Sequence, residues 1–180
     1  MKIIFLDLDG VLNTSETYKK IYYKYKQTGI LDVEIDEFRL EYLKEIIDKT
    51  NAKIVLSASS RNSFKKENDK IIPQNKKAQK IYDLFNKYGL EIYDITPSVY
   101  NVNDRELQIN EWLLNKDIEC FIIIDDEPNM FNDLLDRLIK TSKVKDNEML
   151  IDMDDCIGLC KEDINISVEM LNNKKKILKR

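Results

Sequence analysis

Four short apolar runs punctuate this chain, and the stretches between them carry apolar residues at helical spacing. Ile3-Ile4-Phe5-Leu6 is continuous enough to predict a strand buried on both faces of a parallel sheet, and residues 53–56, 90–95 and 120–124 predict three more strands, the last the most apolar. Phe38, Leu40, Leu43, Ile46 and Ile47 form the stripe of a helix running to Lys49, with Asp36 at its cap position. Ala78, Ile81, Leu84 and Phe85 do the same for a helix over 74–88, which Gly89 stops. Leu107, Ile109, Trp112 and Leu113 mark a helix over 105–115, capped by Asp104. Residues 130–139 and 161–172 predict two further helices, and 149–151 a short fifth strand. Residues 62–73 show no clear period and predict loop. Strands alternating with helices predict an α/β fold, a three-layer Rossmann-like sandwich around a mostly parallel five-stranded sheet.

Residues 15–36 interleave tyrosine with lysine, a composition that suits nucleic-acid contact. Tyr18, Ile21, Tyr22 and Tyr25 nevertheless fall at i, i+3, i+4 and i+7. That spacing predicts one amphipathic helix with the tyrosines inward and Lys19, Lys20, Lys24 and Lys26 on its solvated faces.

A chain of 180 residues fits one domain, placed at residues 1–173 with a basic tail at 174–180. Charged residues make up 34% and hydrophobic ones 43%, a soluble globular balance, and the net charge of −4 gives no case for a nucleic-acid or membrane partner. Three cysteines without C-x-x-C spacing point to a reduced, cytoplasmic protein. Neither a secretory leader nor an apolar run of membrane-spanning length is visible. The chain has no histidine, which removes Ser-His-Asp and Cys-His catalysis and leaves acid/base work to other groups.

Candidate chemistry collects where the predicted strands end. Asp7 and Asp9 follow the first strand, and alternation along an extended chain would turn both the same way. Ser57 and Ser59 follow the second strand, Arg105 opens the helix after the third, and Asp125 and Asp126 follow the fourth. Ligands of open α/β sheets bind at these carboxyl ends. Four carboxylates held together call for a hard divalent cation, and oxygen-only ligands favour Mg²⁺ over zinc.

Asp7-Leu8-Asp9-Gly10-Val11 resembles the first motif of the haloacid dehalogenase-like (HAD) superfamily of phosphotransferases. The strand ending at Ser57 resembles the second motif, Arg105 the basic third and Asp125-Asp126 the acidic fourth. The segment Val55-Leu56-Ser57-Ala58-Ser59-Ser60-Arg61, with Arg105-Glu106 and Trp112-Leu113, is similar to small HAD domains, some of which occur in RNA-repair proteins. Ser60 departs from the pattern, standing where a tryptophan is expected before the arginine.

The resemblance implies a Mg²⁺-dependent phosphomonoester hydrolase. Asp7 is then the nucleophile that forms an aspartyl-phosphate and Asp9 the general acid and base. Asp7, Asp9 through its main-chain carbonyl, Asp125 and Asp126 are the metal set, with Ser57 and Arg105 on the phosphoryl oxygens and Ser59 the competing register for Ser57. Arg61 reads equally as a substrate contact or a structural ion pair. Neither insertion point, residues 15–36 or 97–103, is long enough for an independent cap, so an open site is expected, suited to a large substrate such as a nucleic-acid end. Small phosphoesters or nucleotides are the alternative. A receiver-type signalling domain fits less well because Ile95-Thr96-Pro97 replaces its phospho-accepting aspartate, and a non-catalytic phosphate-binding module remains a third reading.

Overall fold

The computed structural model describes residues 1–30, 35–98, 104–146 and 148–173. In chain order its elements are β1 (Lys2–Leu6), α1 (Ser15–Thr28), α2 (Glu37–Thr50), β2 (Lys53–Leu56), β3 (Phe64–Glu67), β4 (Lys70–Pro73) and α3 (Lys76–Lys87). They continue with β5 (Ile92–Ile95), α4 (Arg105–Leu113), β6 (Cys120–Asp125), β7 (Leu138–Lys140) and α5 (Lys161–Asn172). The fold is the expected α/β sandwich. Its five-stranded sheet runs β5-β2-β1-β6-β7, and every neighbouring pair is parallel. The chain moves outward from β1 to β2 and β5, then returns to β6 on the other side, which makes the carboxyl end of β1 the switch point.

Alternation along the buried strands feeds two cores. Ile4 and Leu6 face Leu40 and Leu43 of α2, Ile81 and Phe85 of α3, and Ile164 of α5. Ile3 and Phe5 face the opposite layer, where Ile109 and Trp112 of α4 pack with Phe131. Phe5 meets Trp112 edge to face at 5.4 Å between ring centroids. The two layers of helix thus clamp the sheet and fix where its strands end.

Four local expectations differ from the structure. Residues 62–73 form a 3₁₀ turn and the β3–β4 hairpin instead of loop. Asn68 and Asp69 both have positive φ, 49° and 59°, the backbone that a two-residue type I′ turn requires. No helix spans 130–139. Two 3₁₀ turns lead there into β7, which pairs Leu138 and Ile139 with Ile123 and Ile124. The open edge of the most buried strand takes a hydrogen-bonded neighbour, and that pairing overrides the helical spacing. The fifth strand is therefore β7, and residues 149–151 are not strand. Finally, α1 fully buries only Thr17; Tyr18 and Ile21 of the expected stripe are half-buried, but Tyr22 and Tyr25 are exposed.

Asp104 caps α4 as expected, accepting from the Leu107 amide at 2.8 Å. Asp36 occupies the cap position of α2 but accepts from Thr17 Oγ1 at 2.6 Å and Arg39 Nε at 3.3 Å. Among the described residues nothing forms a separate cap domain, and no helix is long and apolar enough to cross a membrane. The tail at 174–180 and most of the second insertion point, 99–103, lie outside the described residues.

Candidate active site

The parallel register brings three candidate residues into a row. Leu6 pairs with Leu56 on one side and Ile124 on the other, so Ser57, Asp7 and Asp125 follow at the ends of three adjacent strands. The Asp7 amide donates to the Ile124 carbonyl at 3.0 Å, and the Ser57 amide to the Leu6 carbonyl at 3.0 Å. All three side chains are buried, and Ser57 Oγ has no hydrogen-bond partner. A buried hydroxyl in that condition is left to be satisfied by a water or a ligand, as are those of Ser60 and Ser167.

Arg105, in the first turn of α4, reaches across to this row. Its Nη1 donates to Asp7 Oδ2 at 2.8 Å and to Asp125 Oδ2. The remaining oxygens are held by the main chain, Asp7 Oδ1 by the Leu8 amide at 2.8 Å and Asp125 Oδ1 by the Glu127 amide at 2.9 Å. Asp126 joins from the next position, with Oδ2 accepting from Cys156 Sγ at 3.2 Å. Carboxylate oxygens of Asp7, Asp125 and Asp126 lie within 4.8 Å of one another.

Burial makes this concentration of charge costly. Desolvation pushes Asp7 up to about 7, with the Asp125 charge adding and Arg105 opposing. Desolvation likewise pushes Asp125 up to about 6 against the pull of Arg105. Asp126 rises to about 7 through desolvation and the Asp7 charge. For Arg105 burial acts against the charged form, but Asp7 and Asp125 outweigh it and keep the guanidinium protonated. Three carboxylates and one guanidinium leave two negative charges over. With all three ionised, a divalent cation could balance them, and an all-oxygen set would suit Mg²⁺.

The Asp9 carboxylate is not one of the three that lie within 4.8 Å of one another, although its charge still adds to the upward push on Asp7. The extended chain stops at Leu6, and Leu12 donates back to the Leu8 carbonyl at 2.9 Å to form a turn. The Asp9 side chain is carried to the rim, where Oδ1 accepts from Tyr18 OH at 2.7 Å and Asn13 Nδ2 at 3.1 Å. Asn13 Oδ1 in turn accepts from the Gly10 amide at 2.8 Å. The expected side-by-side placement of the Asp7 and Asp9 carboxylates is thus corrected by the turn. Gly10 has φ of 67°, and a Cβ there would stand 1.9 Å from Asp126 Oδ2. Only glycine lets the turn lie against the acidic group.

Of the two serine registers, Ser57 is the buried one in the strand-end row. Ser59 is exposed at the start of the 3₁₀ turn. Arg61 forms no ion pair among the described residues; its Nη1 donates to the Ala58 carbonyl at 3.1 Å, and Nε has no partner. Burial and the nearby Arg105 charge both lower its pKa. It lines a cleft of about 500 Å³ shared with Lys66, Thr96, Trp112 and Lys116, beside the carboxyl ends of β2 and β5. Sequence reasoning missed Asn13, Tyr18 and Cys156. Asn13 carries a faint local signal, an amide three residues after a turn glycine. Tyr18 and Cys156 carry none, since each reaches the site through the placement of a separate segment.

The family model described as the HAD domain in Swiss Army Knife RNA repair proteins matches residues 3–162. No curated protein and no solved structure matches the chain. The chain belongs to that HAD family.

Proposed function

We propose that this HAD domain, over residues 1–173, is a Mg²⁺-dependent phosphomonoester hydrolase working through an aspartyl-phosphate on Asp7. The observation that carries the reading is the buried group of Asp7, Asp125 and Asp126 with Arg105 bridging two of its members. HAD domains generally use Mg²⁺. Here Asp7, Asp125, Asp126 and the Asp9 carbonyl would hold it. Once bound, it offsets the carboxylate charge so that a phosphoryl group can approach.

The chain's own residues then divide the work. An Asp7 oxygen forms a bond to phosphorus while the bond to the leaving oxygen breaks. Asp9 protonates that leaving oxygen, then takes a proton from the water that attacks the aspartyl-phosphate, releasing phosphate and restoring Asp7. The orphaned Ser57 hydroxyl donates to a phosphoryl oxygen, and Arg105 supplies positive charge to the transferring group.

The substrate we assign is a phosphorylated nucleic-acid end. Two observations support it: the family description names RNA repair, and no cap domain stands over the site among the described residues. The test is Mg²⁺-dependent phosphate release from p-nitrophenyl phosphate, from 3′- and 5′-phosphorylated oligoribonucleotides and from sugar phosphates. Wild-type protein is expected to favour an oligonucleotide end, and Asp7→Asn to lose turnover altogether. Turnover retained in Asp7→Asn overturns the mechanism, and preference for sugar phosphates overturns the substrate class.

A further inference from the structure

Helix α1 is built unlike the other helices of this protein. Its only buried residue is Thr17, while Tyr22, Tyr23 and Tyr25 are 55%, 65% and 46% exposed. Short helices in water owe most of their stability to an apolar face packed on a core, and α1 lacks that support. Its aromatic rings therefore stand in solvent without the gain of burial. Lys19, Lys20, Lys24 and Lys26 are exposed on the same helix, which otherwise carries a single acid, Glu16, in a chain of net charge −4. Lys26 Nζ lies 5.3 Å from the Tyr22 ring centroid, and Lys19 pairs with Asp154 in solvent.

The position of this helix matters as much as its composition. Tyr18, Tyr22 and Tyr25 share one face at i, i+4 and i+7. That face begins at the candidate site, where the Tyr18 hydroxyl reaches Asp9 at 2.7 Å, and runs outward for about 10 Å at the helical rise. Flat rings alternating with ammonium groups match a partner that offers stackable faces and an anionic backbone together, which is single-stranded nucleic acid. A second copy of the chain fits poorly, because a two-fold contact through α1 would set its lysines against their own copies. An apolar protein face fits poorly too, since lysines interrupt the tyrosines.

We propose that the Tyr22–Tyr25 face of α1 binds the single-stranded segment next to the terminal phosphate, holding the end over Asp7. This rests on the nucleic-acid-end reading above and names the surface that would confer it. The measurement is fluorescence anisotropy with a labelled single-stranded oligoribonucleotide bearing a terminal phosphate, in Asp7→Asn protein to prevent turnover. Adding Tyr22→Ala and Tyr25→Ala together is expected to weaken binding by about tenfold or more, at about 1–3 kcal/mol per stacked base. Phenylalanine at both positions is expected to retain it, because the ring does the stacking. Lys20→Gln with Lys24→Gln is expected to reduce the slope of log affinity against log salt by about 1.4. In the Asp7-intact protein the tyrosine pair should leave p-nitrophenyl phosphate turnover within about twofold, as expected for exposed surface changes. Unchanged oligonucleotide affinity in the alanine pair overturns the proposal. So does a dimer in solution that the same pair dissociates. Failure of the phosphatase reading would show separately, as absence of p-nitrophenyl phosphate turnover in wild-type protein.

Discussion

The Tyr18 hydroxyl donates to Asp9 Oδ1 at 2.7 Å, on the same oxygen that takes the Asn13 amide at 3.1 Å. Two donors on one carboxylate oxygen fix the plane of the group, and in the proposed mechanism Oδ2 would be the oxygen that meets the leaving group. Tyr18→Phe removes one donor. The expected outcome is a kcat/KM loss that grows with leaving-group basicity, about tenfold for an alkyl phosphate and little for p-nitrophenyl phosphate. A series of aryl and alkyl phosphates measures this. An equal loss across the series would mean that Tyr18 only supports the fold.

Arg105 is the only cation in contact with Asp7 and Asp125 among the described residues. Arg105→Ala leaves buried carboxylates without a counter-charge, a change that costs about 3–5 kcal/mol. Urea unfolding without Mg²⁺ is expected to show that loss, with turnover abolished in parallel. Mg²⁺ should restore part of the stability and none of the turnover.

Metal-free protein is expected to lose stability as pH rises. Asp7, Asp125 and Asp126 hold protons up to about 7, 6 and 7 in the folded chain. In the unfolded chain aspartates ionise near about 3.9. Their contribution is therefore complete below about 4 and is lost as pH rises through the folded values. Melting temperatures between pH 5 and 8 should fall by about 2–4 °C for each kcal/mol lost. Mg²⁺ added at pH 8 should reverse the fall. A curve that rises across this range in metal-free protein would contradict the burial argument.

Gly10→Ala tests the turn against the acidic group. The new methyl would overlap Asp126 Oδ2 at 1.9 Å, in a backbone conformation that costs an L residue about 1–2 kcal/mol by itself. Asp126 has to move, so both thermal stability and Mg²⁺-dependent turnover are expected to drop. A melt with and without Mg²⁺ separates the two effects, since displacement of Asp126 shrinks the stabilisation by the ion.

The local pattern of this sequence determined β1, β2, β5 and β6, the helices α2 to α5, and the placing of acids, serine and arginine at strand ends. Periodicity and capping act over a few residues, so they are visible in a few residues. Tertiary structure decided what depends on a distant partner. The apolar residues at 130–139 became turns and a strand because β6 offered an unpaired edge. The tyrosines of α1 had the spacing of an inward stripe, but among the described residues Tyr22 and Tyr25 are left exposed, and spacing alone cannot report whether a core surface lies opposite. The Asn68-Asp69 turn was legible in principle, a two-residue loop between short strand-forming runs. At the site, register between parallel strands grouped Asp7 with Asp125 and Asp126, while the turn after Leu6 carried the Asp9 side chain to Tyr18 and Asn13. Residue type set which chemistry is on offer. Which oxygens face one another was settled by strand register and a glycine turn, both of which exist only once the sheet is assembled.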